Sequence, residues 1–342
     1  MEGLVAPGFE AVGAAFAAEP RGGSALAILR HGEPVVDVRE GWRDAARTVA
    51  WDARTLVNVY SVGKPIIAAA VLILVERGLI ALDAPTATYW PSFKTDVSVR
   101  DLLSHTAALP SFPIRRPASA FGDWDLLCAD LAGTSPEWEP GTVAAEHALT
   151  YGHLLGELVR RVDGRDPAVF VAEEMGFDFG FALSDVDVRR CAELEYDSPD
   201  WPARMLGEPG SVHARAVSNP AGARDLAVVN SDFWRTSAVP AVNLHSTATA
   251  IAEFYAAVLA SRLPALAIAQ YTGMDLFLEH EVTWGLGVQI EPDGTWGQGG
   301  LGGNAGWADP SRGLAIGYVT RRLGDFAAVD RIEAALSETE KG

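Results

Sequence analysis

The sequence predicts a mixed α/β (α+β) protein: strands from both ends of the chain share one sheet, and a long, mostly helical block is inserted between them. Three observations lead there. Apolar and polar residues alternate near the N-terminus, helical periods dominate the middle, and strand-like segments return after residue 284.

Taken in order, Ser24 to Arg30 and Pro34 to Gly41 flank His31-Gly32-Glu33 and read as a β-hairpin. From Ser61 the pattern turns helical, stays apolar through Leu74 and ends near Arg77-Gly78-Leu79. Arg100 to His105 reads as a short helix, followed by a proline-rich irregular stretch around Leu109 to Pro117. Thr150 to Val162 has one apolar face and a charged one, with Asp163-Gly164-Arg165 as its stop, and a second helix runs from Pro167 to Glu174. Residues 176–240 show no sustained period. Thr247 to Ser261 is helical again. Trp284 to Glu291 and Thr295 to Gln298 flank the turn Pro292-Asp293-Gly294, Leu314 to Thr320 reads as a strand, and Phe326 to Leu336 closes as a helix. With no internal repeat or low-complexity linker, residues 1–342 are expected to form one domain. Its α/β part spans approximately 1–62 and 245–342, its helical part approximately 63–244.

Composition narrows the function. Hydrophobic residues make up 49% of the chain, enough for a substantial core. The net charge of −18, from 27 basic and 45 acidic residues, repels nucleic-acid backbones and anionic membranes, so neither is expected as a partner. Cys128 and Cys191 match no metal or redox spacing and are expected as free thiols in a reducing compartment. The first residues lack a basic, then apolar leader, and the longest apolar run, Ile66 to Val75, is too short to span a bilayer; a cytoplasmic protein is expected. No metal-ligand spacing or nucleotide-binding glycine loop is present, so no cofactor is expected. The oligomeric state is not legible.

The chemistry starts at Tyr60-Ser61-Val62-Gly63-Lys64-Pro65. A serine hydroxyl needs a partner to remove its proton. Three residues apart at a helix start, Ser61 and Lys64 share a face, within reach of each other. Burial under the apolar helix and the positive end of the helix dipole would both lower the lysine pKa, favouring the neutral amine. Only three of the basic residues are lysines (64, 94 and 341); arginine holds its proton too tightly to act as a base. With 18 serines, a serine three places before any of the three lysines is expected by chance only about 0.15 times. The competing reading is an N-capping serine beside a solvated lysine.

Further segments give the pair a context: Leu56 to Lys64, Glu76 to Pro85, Tyr89-Trp90-Pro91, Val99 to Thr106, Pro140-Gly141-Thr142, His147 to Gly152, and Gly299-Gly300-Leu301-Gly302-Gly303. In this order, covering nearly the whole chain, they resemble the serine esterases and related hydrolases of the class C β-lactamase (penicillin-binding-protein-like) fold, kin to D-alanyl-D-alanine carboxypeptidases. The resemblance implies a β-lactamase/transpeptidase-like architecture, an antiparallel sheet flanked by helices plus an inserted, mostly helical subdomain. It also implies three catalytic motifs.

The first motif, Ser61/Lys64, is intact. The second normally supplies a proton-shuttling tyrosine immediately before His-Ala-Leu-Thr, where this chain has Glu146. The third normally opens with Lys, His or Trp and continues in small residues; here it reads Gln298-Gly299-Gly300. Two roles are open to Glu146: a general base replacing the tyrosine, or a counter-charge that locks Lys64 as an ammonium. Tyr151, five residues on, should face elsewhere on its helix. Gln298 keeps hydrogen-bonding capacity but loses the cationic anchor for a substrate carboxylate, which argues against a penicillin-type β-lactam or a peptide C-terminus. By the same resemblance the oxyanion hole is formed by the N–H groups of Ser61 and Leu301, with Gly299 and Gly300 allowing close approach; a plain tight turn is the alternative for the glycines. His147 is read as either a pocket residue or a core histidine, His105 as packing a loop, and Asn243 and His245 as weak candidates for the pocket wall. Trp90, Trp124, Trp138, Trp284, Trp296 and Trp307 are read as core or rim, some of them shaping an apolar acyl pocket.

The expected function is a serine acyl-transfer enzyme acting through an acyl-Ser61 intermediate on a small-molecule ester or amide, an esterase-like hydrolase or a biosynthetic transacylase with an amine or alcohol acceptor. Its rival is a catalytically silent relative that binds a ligand or protein.

Overall fold

The computed structural model describes residues 1–18, 22–261 and 264–338; Lys341 lies outside them. Its centre is a nine-stranded sheet, antiparallel throughout, in the spatial order Glu2–Val5, Glu33–Gly41, Gly23–Arg30, Leu314–Thr320, Asn304–Asp309, Trp296–Gly300, Gln289–Ile290, His280–Trp284, Tyr271–Asp275. The N-terminal hairpin closes on His31 and Gly32, both at positive φ (51° and 84°), the backbone that a two-residue turn needs to follow the twist of its strands. Strands from the two ends meet along Gly23–Arg30 and Leu314–Thr320, paired from Ser24↔Thr320 to Arg30↔Leu314.

Alternation along these strands sorts large from small side chains. Leu26, Ile28, Ile316 and Tyr318 pack with Phe16, Val12, Val329 and Ile332, residues of the helices Glu10–Ala17 and Ala327–Glu338. The opposite face carries Ala27, Ala315 and Gly317, which lets the helix Ala248–Ala260 lie almost on the backbone: a Cβ at Gly317 would sit 2.3 Å from the Ala248 carbonyl oxygen. That face and the helical block share the larger core.

The helix Lys64–Glu76 runs through that core and is buried nearly all round, from Lys64 to Leu72 and again at Leu74, as its unbroken apolar sequence requires. It packs against Tyr151–Asp163 and Pro167–Met175. The stretch that lacked a period, 176–240, contains several helices of four to seven residues, such as Asp185–Val188, Val212–Ser218 and Asp232–Thr236, each started by a serine cap. Helices this short complete at most two turns, too few for a 3.6-residue repeat to show.

The expected strand Trp284 to Glu291 is broken. His280–Trp284 turns back to pair with Tyr271–Asp275, and only Gln289–Ile290 pairs with Trp296–Gly300. The glycines between them explain the break: a Cβ on Gly285 would meet the Leu266 carbonyl at 2.1 Å, and one on Gly287 would meet Ala68 at 2.4 Å, so the backbone dives onto the buried helix. Cys128 and Cys191 are buried free thiols. Among the described residues no helix is long and apolar enough to cross a membrane.

Candidate active site

Ser61 opens a single 3₁₀ turn, Ser61–Gly63, that leads into the buried helix. Tyr60 before it holds φ 50°, ψ −127°, a strained backbone for a non-glycine residue, fixed by a bridge to Asn243 and burial of the ring. Ser61 does not cap the helix. Its Oγ accepts a 2.6 Å hydrogen bond from Lys64 Nζ, which excludes the capping reading. Lys64 is wholly buried; Nζ also lies 2.8 Å from Glu146 Oε1 and 3.4 Å from the Ala241 carbonyl oxygen. Burial lowers the Lys64 pKa, opposed by the Glu146 charge and hydrogen bond. The structure thus lines up hydroxyl, amine and carboxylate.

Glu146 is held from behind. Asp275, itself buried, accepts the Glu146 backbone N–H at 3.2 Å, those of Phe277 and Leu278 at 2.8 and 2.9 Å, and Trp284 Nε1–H at 2.8 Å. Burial raises its pKa, and Glu146 adds to the rise. His147 turns away from the cavity: its Nε2 accepts from the Leu109 N–H at 3.2 Å, which leaves Nδ1 carrying the proton, 3.2 Å from His105 Nδ1. His105 Nδ1 also accepts the His147 backbone N–H at 3.1 Å, and its ring packs on Tyr151 and Trp284. Burial holds the His147 pKa down to about 3 and that of His105 well below 6.5, so both are neutral clamps. His147 as a substrate-binding residue is therefore corrected to a core residue joining the 105–109 loop to Glu146.

In front of Ser61 lies a cavity of about 210 Å³, lined by Tyr60, Ser61 and Glu146, by apolar side chains such as Leu149, Val242, Phe277 and Phe326, by the Gly299-Gly300-Leu301 backbone, and by His213 and Arg224. Gly300 is required as glycine: a Cβ there would lie 2.1 Å from the Val59 carbonyl oxygen, so only bare backbone passes this close to the nucleophile turn. Among the described residues, the Ser61 and Leu301 N–H groups donate to no protein acceptor. Gln298 does not line this cavity. It is buried beside a second recess that shares Gly299 and Phe326, and among the described residues its Oε1 has no hydrogen-bond partner. No tryptophan lines the cavity either; its apolar wall is aliphatic and phenylalanine. Asn243 and His245 are backbone braces, Asn243 bonding Val239, Trp234 and Ser237. Tyr151 Oη donates to the Leu103 carbonyl oxygen at 3.0 Å and serves the loop.

Sequence reasoning missed Asp275, His213 and Arg224. His213 and Arg224 come from the aperiodic segment, and Asp275 from a strand with no motif. None sits at a spacing that announces chemistry.

The family profile described as Beta-lactamase matches residues 10–339. Esterase/beta-lactamase LipL of Mycobacterium tuberculosis is 32% identical, the match covering 88% of this chain and 77% of that protein. Among solved structures, a penicillin-binding protein homologue from Caulobacter crescentus superposes with TM-score 0.88 at 30% identity, covering 99% of both chains. A family VIII carboxylesterase gives TM-score 0.88 at 30% identity, over 98% of this chain and 99% of that one. The sheet, the inserted helices and these likenesses agree: this chain belongs to the beta-lactamase family.

Proposed function

We propose that this protein is a serine hydrolase or transacylase that forms an acyl-Ser61 intermediate from a small-molecule ester or amide. The observation that carries the reading is the Ser61 Oγ–Lys64 Nζ–Glu146 Oε1 line, 2.6 and 2.8 Å long, opening into an apolar cavity. It is supported by the likeness to LipL and to a carboxylesterase, esterases by name.

In this reading the proton moves along the line. Lys64 passes a proton to Glu146 as it takes the one from Ser61, so Ser61 Oγ attacks the carbonyl carbon while Lys64 stays an ammonium and Glu146 becomes the acid. The Ser61 and Leu301 N–H groups hold the oxyanion. Glu146 protonates the leaving oxygen or nitrogen, the carbonyl–leaving-group bond breaks, and the ester to Ser61 remains. Water, or an amine or alcohol, then gives its proton to Glu146 and takes the acyl group, and the proton returns through Lys64 to Ser61 Oγ. Of the two roles open to Glu146, this selects the base. Burial disfavours the ammonium of Lys64 against the opposing pull of Glu146, and the glutamate at 2.8 Å is placed to take the proton that Lys64 passes on. The two buried free thiols support a reducing, cytoplasmic setting.

The test is labelling with a fluorophosphonate, read by intact-mass spectrometry. One adduct on the wild type and none on Ser61→Ala is the expected result. A folded wild type that takes no label would mean Glu146 has disarmed the nucleophile, and would turn the protein into a binding module.

A further inference from the structure

We propose that Arg224 is an anion anchor in the acyl cavity, and that the natural substrate carries a carboxylate separated from its scissile carbonyl by an apolar spacer. The proposal rests on the acyl-Ser61 reading for the orientation of the substrate.

Arg224 lines the same cavity as Ser61, opposite the expectation from the third motif, where Gln298 offers no cation. Its backbone and one edge of its guanidinium are fixed: Tyr196 Oη donates to the Arg224 carbonyl oxygen at 2.6 Å, and Arg224 Nη1 donates to the Met205 carbonyl oxygen at 2.6 Å. Among the described residues no carboxylate lies within ion-pair distance of it. Burial lowers its pKa, and the groups that counter this are the hydroxyls of Tyr60 and Tyr196, not an acid. In a chain with 45 acidic residues, arginines such as Arg116, Arg160, Arg165 and Arg190 hold carboxylates, whereas Arg224, half-buried on the cavity, holds none among the described residues.

Arg224 therefore offers this cavity a planar cation that, among the described residues, is held by a hydrogen bond at Nη1 alone. A carboxylate fits the rest of the guanidinium, since guanidinium forks bind carboxylates in two parallel hydrogen bonds. Glu146, the acid lining this cavity, is paired with Lys64, which leaves the Arg224 charge uncompensated in a strongly anionic protein. The same cavity is lined by apolar side chains such as Val217, Ala223 and Val242, which suit a methylene spacer.

The experiment compares mono-p-nitrophenyl adipate with p-nitrophenyl hexanoate, which have the same chain length with and without the terminal carboxylate. The wild type is expected to prefer the adipate ester in kcat/KM. Arg224→Gln should lower that preference by about 10- to 100-fold, the value of one charge-assisted contact, mainly through KM. Arg224→Lys should recover part of it. A ratio that Arg224→Gln leaves unchanged, or a wild type that favours hexanoate, overturns the proposal. Should Arg224→Gln fail to fold, salt decides on the wild type: rising ionic strength must raise KM for the adipate ester more than for the neutral one. Binding separates this proposal from the catalytic one. Ser61→Ala should bind monomethyl adipate more tightly than methyl hexanoate, and Ser61→Ala/Arg224→Gln should not, even if the wild type takes no fluorophosphonate label.

Discussion

The Ser61–Lys64–Glu146 line depends on a lysine that is wholly buried yet has, among the described residues, only two close partners that can take or give a proton, the Ser61 hydroxyl and the Glu146 carboxylate. An arginine in its place would keep the charge but could not release a proton. Lys64→Arg should lower kcat by about 10²- to 10⁴-fold, the usual reach of general acid–base catalysis, and steady-state assays on a p-nitrophenyl ester would show it. Activity at or near that of the wild type would mean Lys64 acts only as a fixed cation. The Ser61/Lys64 pair was legible in the sequence because three residues in one turn set its geometry. Glu146 was legible as a departure from a family pattern, and its distance from Lys64 only from the fold. Asp275 and Arg224 were invisible because each reaches the site through tertiary contacts and stands among residues with no period or motif.

At the scale of elements, the site exists because a glycine strand and a buried helix approach within van der Waals distance. Gly300→Ala would set a methyl 2.1 Å from the Val59 carbonyl oxygen, on a backbone that cannot move without shifting Ser61. We expect this substitution to lower kcat far more than it lowers Tm, and a p-nitrophenyl ester assay beside a thermal melt would show whether it does. An unchanged kcat would remove the close approach from the account. The hairpin at His31-Gly32 and the long helices were readable because turn residues and apolar periods are local signals. The broken strand at Gly285 and Gly287 was not, because the Leu266 and Ala68 atoms that require the break come from elsewhere in the chain.

At the scale of the molecule, four buried histidines link the fold to pH. Burial holds His147 and His245 to about 3, His153 to about 4 and His105 well below 6.5. An unfolded chain titrates them near 6.5. Below that pH the unfolded state gains protons that the native state refuses, so this stability is complete above about pH 6.5 and lost as pH falls toward 4 and 3. Each histidine contributes about 1.4 kcal/mol per pH unit inside its window. The urea midpoint should therefore fall steeply between pH 6.5 and 4, and less steeply in His153→Phe, which removes one buried imidazole. A midpoint flat across that range would contradict the assignment. The architecture was readable in outline from strands at both ends and helices between, whereas the histidine burial follows from packing and leaves no mark on the sequence.

The most direct test of the central claim, a proton line from Ser61 through Lys64 to Glu146, is time-resolved intact-mass spectrometry of the wild type and Glu146→Gln mixed with a p-nitrophenyl ester. The account predicts a transient acyl adduct on Ser61 of the wild type, and in Glu146→Gln an adduct that forms and clears more slowly by about 10²-fold or more, because the group that protonates the leaving oxygen and activates the acceptor is gone. Acylation and deacylation of Glu146→Gln at wild-type rates would contradict it.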